Sequence, residues 1–287
     1  MAGSSKAFRK HGTYVYDVAA TIARYGTAAL TIEAMQEAQM THAWVRIHGQ
    51  SAYPVATKRV IGAFIDQVMK VGIAVAGWGW CQGSDPEADA RLAVRETASF
   101  GLSDYIADIE EGVHNSHWSV ATIGGFCTRV RSGVGGSFGI TTFSLIDWHE
   151  PGLMKAALPF VDMFNPQVYW HHFPNKKMVR QFKRPDGTAY SQDRAFDYAD
   201  LCLDRWEKLM GDSPKDIVIT GQAYWGEGVP AFSEGDAEDK VDEFLVGWAG
   251  YRRVIGLNWW HFGGSQSMSH RMRNDINKAK LGAKPYK

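Results

Sequence analysis

Short apolar runs rich in β-branched and aromatic residues recur along the chain, separated by longer stretches in which apolar positions return every three or four residues. The runs are TYVYDV from residue 13, HAWVRIHG from 42, GIAVAGWGW from 72, YIADIE from 105, FGITTFSL from 138, MFNPQVYW from 163, DIVITGQAYW from 216 and VIGLNWWHF from 254. Near-continuous apolar runs of this length predict strands buried on both faces. The intervening segments 31–40, 55–70, 85–101, 118–133, 150–161, 191–211, 234–253 and 267–282 have helical spacing. Start and stop signals agree: Ser84-Asp85-Pro86 supplies a cap and a first-turn proline, and Gly101, Gly211 and Gly282 stand at helix ends.

Eight strands alternating with eight helices, with no Pro/Gly/Ser-rich linker between them, predict an α/β protein. The expected architecture is a (β/α)8 or TIM barrel forming a single domain over residues 13–287, with residues 1–12 as a flexible N-terminal segment. A chain of 287 residues suffices for one such core. The competing doubly wound open sheet announces its nucleotide site with a Gly-rich turn after the first strand, and YDVAATIARYG has none. The main irregularity is the long basic loop 171–190 after strand six, of a length that is commonly functional.

Acidic and basic side chains number 31 each, so no global field attracts nucleic acid or an anionic membrane. No run is long and apolar enough to span a bilayer, and the polar start MAGSSKAFRKHG lacks the stretch of a secretory signal. Synthesis in the cytosol is expected. Cys81, Cys127 and Cys202 have neither disulfide-framework nor zinc spacing and read as buried thiols. Aromatic content is high, at 13% with eleven Trp, and many of the Trp sit beside Gly at strand ends.

In a barrel the active site lies at the C-terminal ends of the strands. The chain offers there Asp17; His48 and Gln50; Trp78, Trp80 and Gln82; Asp108 and Glu110; Asp147 and His149; Asn165, Gln167 and Tyr169; then Gln222, Tyr224, Glu227, Asn258, Trp260 and His261. Asp108 and Glu110 are two apart on one strand, so both face the barrel axis, with Cβ atoms roughly 6.5 to 7 Å apart. Carboxyls that close interact, and the one in the drier place keeps its proton near neutral pH. Glycosidic cleavage needs that division, with a protonated Glu donating to the leaving oxygen and an ionised Asp supporting the developing charge. Ion pairing of the two acids with Arg46 is the structural alternative. Glu111 is expected to point outward.

Trp78, Trp80, Tyr169, Trp170, Tyr224, Trp225, Trp259 and Trp260 suit the apolar faces of pyranose rings, and Gln167, Gln222 and Asn258 suit hydroxyl and acetamido groups. Strand alternation allows about half of these aromatics to face the pocket. Strand one lacks the His-x-His pair of metal-dependent barrel hydrolases. His114 with His117, and His171 with His172, sit in loops as surface or supporting residues. No metal or other cofactor is expected, and no Gly-x-Ser-x-Gly elbow or P-loop occurs.

The order of features resembles glycoside hydrolase family 25, the lysozyme-type muramidases. YDVAA is similar to that family's opening Asp-Val-Ser, AWVRIHGQ to its second strand, AGWGWCQGSDPEADARLAV to its third strand and following helix, and ADIEEG to its Asp-x-Glu on strand four. The resemblance implies Glu110 as general acid, with Asp108 and Asp17 as supporting carboxylates. Ala19 stands where the family has Ser, Trp replaces Tyr and His on strand three, and Asn258 lies near a usual Asp. Asp-x-Glu also occurs in family 18 chitinase-type barrels, whose fuller Asp-x-x-Asp-x-Asp-x-Glu is not met here. Family 25 proteins come from bacteria and phages, whose lysins need no signal peptide.

The expected function is a glycosidase acting on peptidoglycan or a related amino-sugar polymer. The rivals are a non-catalytic glycan-binding or virion-structural barrel, and a barrel hydrolase using Glu227 of WGEG as its second carboxylate. If a polymer is read, the loop 171–190 is the expected extra contact.

Overall fold

Eight parallel strands pair in chain order and close on themselves. They are β1 (Lys10–Val15), β2 (His42–His48), β3 (Ala74–Trp80), β4 (Tyr105–Asp108), β5 (Phe138–Phe143), β6 (Met163–Val168), β7 (Asp216–Gln222) and β8 (Gly256–Trp260). Closure is made by β1 against β8, in register from Lys10 with Gly256 to Thr13 with Trp259. The computed structural model describes residues 5–113, 115–170, 181–191, 194–226, 232–248 and 254–279. The chain is thus a (β/α)8 barrel, as its alternation predicts.

The described helices are α1 (Val18–Tyr25), α2 (Ala28–Glu37), α3 (Val55–Lys70), α4 (Pro86–Ser99), α5 (Val120–Gly133), α6 (Leu153–Ala157), α7 (Ala195–Met210), α8 (Glu234–Trp248) and α9 (His270–Lys278). Among the described residues no helix is long and apolar enough to cross a membrane. The expected start of α4 is found: the Asp85 carboxylate accepts the Ala88 N–H at 2.9 Å and Pro86 opens the first turn. Helix α1 is an addition to the expected elements: it starts two residues after β1, at Val18, the last residue of the run expected to be strand.

Period-two alternation separates two cores. Outward residues such as Val45, Ile47, Ala107, Ile109 and Leu257 pack against the helices. Inward ones, Tyr14, Trp44, Ala76, Trp78, Ile106, Met163 and Val218, fill the barrel. Its floor is sealed by Phe8, fully buried edge-on against Trp44, whose indole N–H donates to the Ala7 carbonyl at 2.8 Å. Residues 5–12, expected to be a flexible lead-in, therefore belong to the barrel, which begins before residue 13. The chemical reason is Phe8, whose large apolar side chain escapes the polar surroundings of MAGSSKAFRKHG by plugging the strand bundle. Next to this plug the His42 ring lies across Gly12, where any Cβ would overlap it. Cys81, Cys127 and Cys202 are free and buried.

Candidate active site

The mouth is built where the strands run out. β4 ends at Asp108, and the Ile109 N–H still bonds the Thr141 carbonyl at 3.0 Å, so the chain stays extended one step further. Ile109 is fully buried among the helices, and the residues on either side of it, Asp108 and Glu110, turn to the barrel side. Asp108 is 6% exposed, while Glu110 is half-buried. The charge of Glu110 acts on Asp108, Tyr14 and Tyr169, so its carboxyl faces the same mouth as theirs.

Burial, and then repulsion from Glu110, raises the Asp108 pKa well above the usual carboxylate range. Three groups oppose the rise: the Arg46 guanidinium, Gln167, whose Nε2 donates to Asp108 Oδ1 at 3.2 Å, and the Trp78 indole. The Trp78 indole N–H approaches the same carboxyl outside good hydrogen-bond geometry. One expectation is reversed here. The drier carboxyl is Asp108 rather than Glu110.

Below Asp108 the barrel is threaded by hydroxyl groups. Gln167 Nε2 also reaches Thr141 Oγ1 at 3.4 Å, and the Tyr14 hydroxyl bonds Thr141 Oγ1 and Asn165 Oδ1, each at 2.8 Å. Thr220 donates to the same Asn165 oxygen at 2.7 Å, and Asn165 Nδ2 donates to the Val218 carbonyl at 2.8 Å. This network fixes the β6 exit against β4 and β5, and with it the Gln167 amide.

Aromatic rings close the β1, β3 and β8 side of the mouth. Trp78 and Trp260 meet edge to face at 5.7 Å, and both touch Tyr14 at 5.2 Å. Tyr16, 43% exposed, leans on Trp260 at 5.7 Å and carries the Arg46 guanidinium 4.5 Å from its ring centre. Tyr169 stands against Tyr224 at 5.7 Å and Trp260 at 6.4 Å. Of the expected glycan-binding residues, Trp80, Gln167, Tyr169 and Trp260 keep accessible surface, whereas Trp78, Gln222 and Tyr224 are nearly closed over and form the floor.

Two expected site residues lie elsewhere. Asn258 is fully buried inside the barrel, so it has no surface to offer a substrate. Asp17 is exposed and caps α1, its Oδ1 accepting the Ala20 N–H at 2.9 Å, a role its position directly before a helix explains. The β1 residue that reaches the mouth is Tyr16. Sequence reasoning missed it because strand one was read as running through residue 18. Trp259 and Trp170 pack outward against α8, Trp170 stacking on Phe244 at 4.8 Å, as alternation requires of part of the aromatic set.

The remaining polar exits are structural. Asp147 pairs with Arg205, His149 Nε2 lies 2.7 Å from Thr142 Oγ1, and His48 Nε2 lies 2.8 Å from the Tyr105 hydroxyl. Glu111 accepts the Glu150 N–H at 3.2 Å, pointing away from the axis as expected. Glu227, His114 and residues 171–180 fall outside the described residues. In the remainder of the basic loop, Arg184 is held by Asp197 at 3.2 Å and Asp200 at 3.3 Å. Among the described residues no three His, Cys, Asp or Glu side chains converge as a metal site.

The fold has known counterparts. The chain aligns with a family GH18 chitinase from Cycas revoluta in complex with allosamidin at a TM-score of 0.64, covering 94% of this chain and 99% of that one at 9% identity. A GH113 beta-1,4-mannanase aligns at 0.61, covering 95% and 99% at 10% identity. The GH18 chitinase ChiB of Flavobacterium johnsoniae aligns at 0.58, covering 96% and 94% at 11% identity. What they share with this chain is the barrel. No protein-family model matches the chain, and no curated protein matches it. The family 25 resemblance therefore rests on Asp-x-Glu and its neighbouring strands.

Proposed function

We propose that the protein is a glycosidase that hydrolyses a polymer of N-acetylated amino sugars, peptidoglycan first among them, with Glu110 as general acid and base. The observation that carries this reading is the coupled pair Asp108 and Glu110 at the centre of an aromatic-rimmed barrel mouth. The solved barrels of the same fold include a GH18 chitinase in complex with (GlcNAc)4, which supports an N-acetylhexosamine substrate.

Asp108 and Glu110 leave one strand exit on the same side, so they approach a bound sugar from one direction. Acid and nucleophile pairs flank the glycosidic bond from opposite faces. Asp108 is thus suited to assist through the acetamido group of the substrate, whose carbonyl oxygen attacks the anomeric carbon while its N–H faces Asp108. A donor N–H against Asp108 stabilises its ionised form. The shared proton then moves to Glu110, where the leaving oxygen requires it. Water afterwards opens the cyclic intermediate, with Glu110 taking back a proton. Tyr16, Trp80 and Trp260 provide the apolar faces against which the sugar rings lie.

The test is turnover of purified peptidoglycan and of chitin oligomers by wild type and Glu110→Gln, with reducing ends counted and fragments weighed. Glu110→Gln is expected to lower kcat at least ~10²-fold, the scale of general acid-base help. Full activity in that variant, or glycan binding without turnover in both proteins, overturns the reading.

A further inference from the structure

Beside the mouth, between the β2 exit and the first turns of α4, lies an open groove of about 290 Å³ lined by Gln50, Ser51, Ala52, Asp89, Arg91 and Arg95. We propose that this groove binds a carboxylate-bearing branch of the glycan, the peptide stem of peptidoglycan, and so distinguishes that polymer from a neutral one. The proposal rests on the glycosidase reading for the backbone to which the branch is attached.

Arg91 and Arg95 supply the cations of the groove, and carboxylates share them with neighbouring cations. Arg91 gives Nη1 to Glu87 at 3.0 Å, and Glu87 is shared with Arg129 at 3.0 Å. Arg95 gives Nε to Glu96 at 3.0 Å, and the buried Glu96 is shared with Lys58. Asp89 turns Oδ2 to the Gly83 N–H at 2.7 Å, and burial raises its pKa, so its repulsion of a ligand is reduced.

The donor geometry suits a carboxylate. Arg91 and Arg95 are four apart on α4, hence on one face of it. Among the described residues Arg95 donates only through Nε, so its two terminal amino groups are open to a planar, bidentate acceptor. Gln50 and Ser51 add an amide and a hydroxyl on the opposite wall.

The groove also lies close to the catalytic centre along the chain that leaves β2. Arg46, which acts on Asp108, packs its guanidinium 3.2 Å from where a Gly49 Cβ would stand. Gln50 is the next residue. Gln50 lies four positions after Arg46, a reach of at most ~13 to 14 Å. A branch leaving a sugar at the mouth on the β2 side meets Arg95 within the length of a few amino acids.

The test uses an Arg91→Gln/Arg95→Gln double variant in the full chain, with its melting curve compared to wild type because both side chains are exposed. On soluble peptidoglycan fragments bearing stems, KM is expected to rise about tenfold with little change in kcat. The ratio of kcat/KM for stem-bearing over N-acetylglucosamine oligomers then falls about tenfold. In parallel, the free stem peptide L-Ala-γ-D-Glu-L-Lys-D-Ala-D-Ala is titrated into Glu110→Gln with and without the two Arg substitutions, and binding is expected only with both Arg present. An unchanged ratio, or stem-peptide binding that ignores the Arg substitutions, overturns the groove and leaves the glycosidase reading standing. Arg-dependent peptide binding in a protein that cleaves neither polymer supports the groove and removes the glycosidase reading. Neither cleavage nor peptide binding overturns both.

Discussion

Gln167 Nε2 donates to Asp108 Oδ1 across 3.2 Å, joining the exit of β6 to the exit of β4. The bond favours the ionised carboxyl, against a burial that favours the protonated one. In Gln167→Leu the Asp108 pKa therefore rises further. On the proposed mechanism the singly protonated pair is the active form. Losing a hydrogen bond to the charged carboxyl moves the upper pKa of the pair upward. The basic limb of kcat/KM against pH should shift upward with it. A profile identical to wild type would detach Gln167 from the catalytic pair.

Asp17 sets an expected role, supporting carboxylate, against the observed one, helix cap. Asp17→Ala should lower stability by about 1 kcal/mol, the usual cost of losing a cap, and leave kcat within about twofold. Asp17→Asn, which keeps an acceptor for the Ala20 N–H, should restore the stability. A large loss of kcat in Asp17→Asn would return the residue to the catalytic set.

Asn258 is fully buried, and neither polar atom of its amide has a hydrogen-bond partner among the described residues. Burying an unpaired amide costs about 1 to 3 kcal/mol. Asn258→Leu, of the same branched shape and without that cost, should leave the urea midpoint unchanged or raise it and leave KM unaffected. A midpoint lowered by more than 1 M would show that the amide is satisfied in solution.

Four buried histidines and the half-buried His261 set the response to acid. Burial lowers His11, His48, His149 and His261 to about 4 and His42 to about 3. Unfolded His binds protons near pH 6.5, so the unfolded state gains protons first as pH falls. Stability is present above pH 6.5 and is lost on the way down to about 4. Each such His contributes up to about 1.4 kcal/mol per pH unit in that window. Asp108 and, by smaller shifts, Asp89, Asp216 and Asp275 work in the opposite sense. The urea midpoint should fall steadily from pH 6.5 to 4.5, and by less in His42→Gln. A flat midpoint across that range would contradict burial of these rings.

The barrel was legible because strands buried on both faces are apolar along their whole length, and eight such runs alternate with helical spacing. The same property hid where each strand stops. TYVYDV reads as one strand, so the switch at Asp17 from strand to helix, and with it the outward turn of that carboxylate and the inward turn of Tyr16, had no local signal beyond the cap itself. Asp108 and Glu110 were legible from their spacing. Which of them is drier was not, because that depends on Trp78, Gln167 and Tyr14, which arrive from three other strands. Asn258 fails for a related reason: its strand shows which way the side chain turns but not how deep in the barrel it sits.

The closure of β1 on β8 also sets a timetable. Thr13 Oγ1 bonds the carbonyl of Trp259, a residue 246 positions later. At synthesis rates of 5 to 20 residues per second, that partner emerges roughly 12 to 50 s after Thr13 does. Throughout that interval the first strand has one open edge and Phe8 has no completed floor to plug. The last strand to be made is therefore the one that lets the first segment settle, and a ribosome-bound chain stopped short of Gly256 should present an unpaired apolar edge to chaperones.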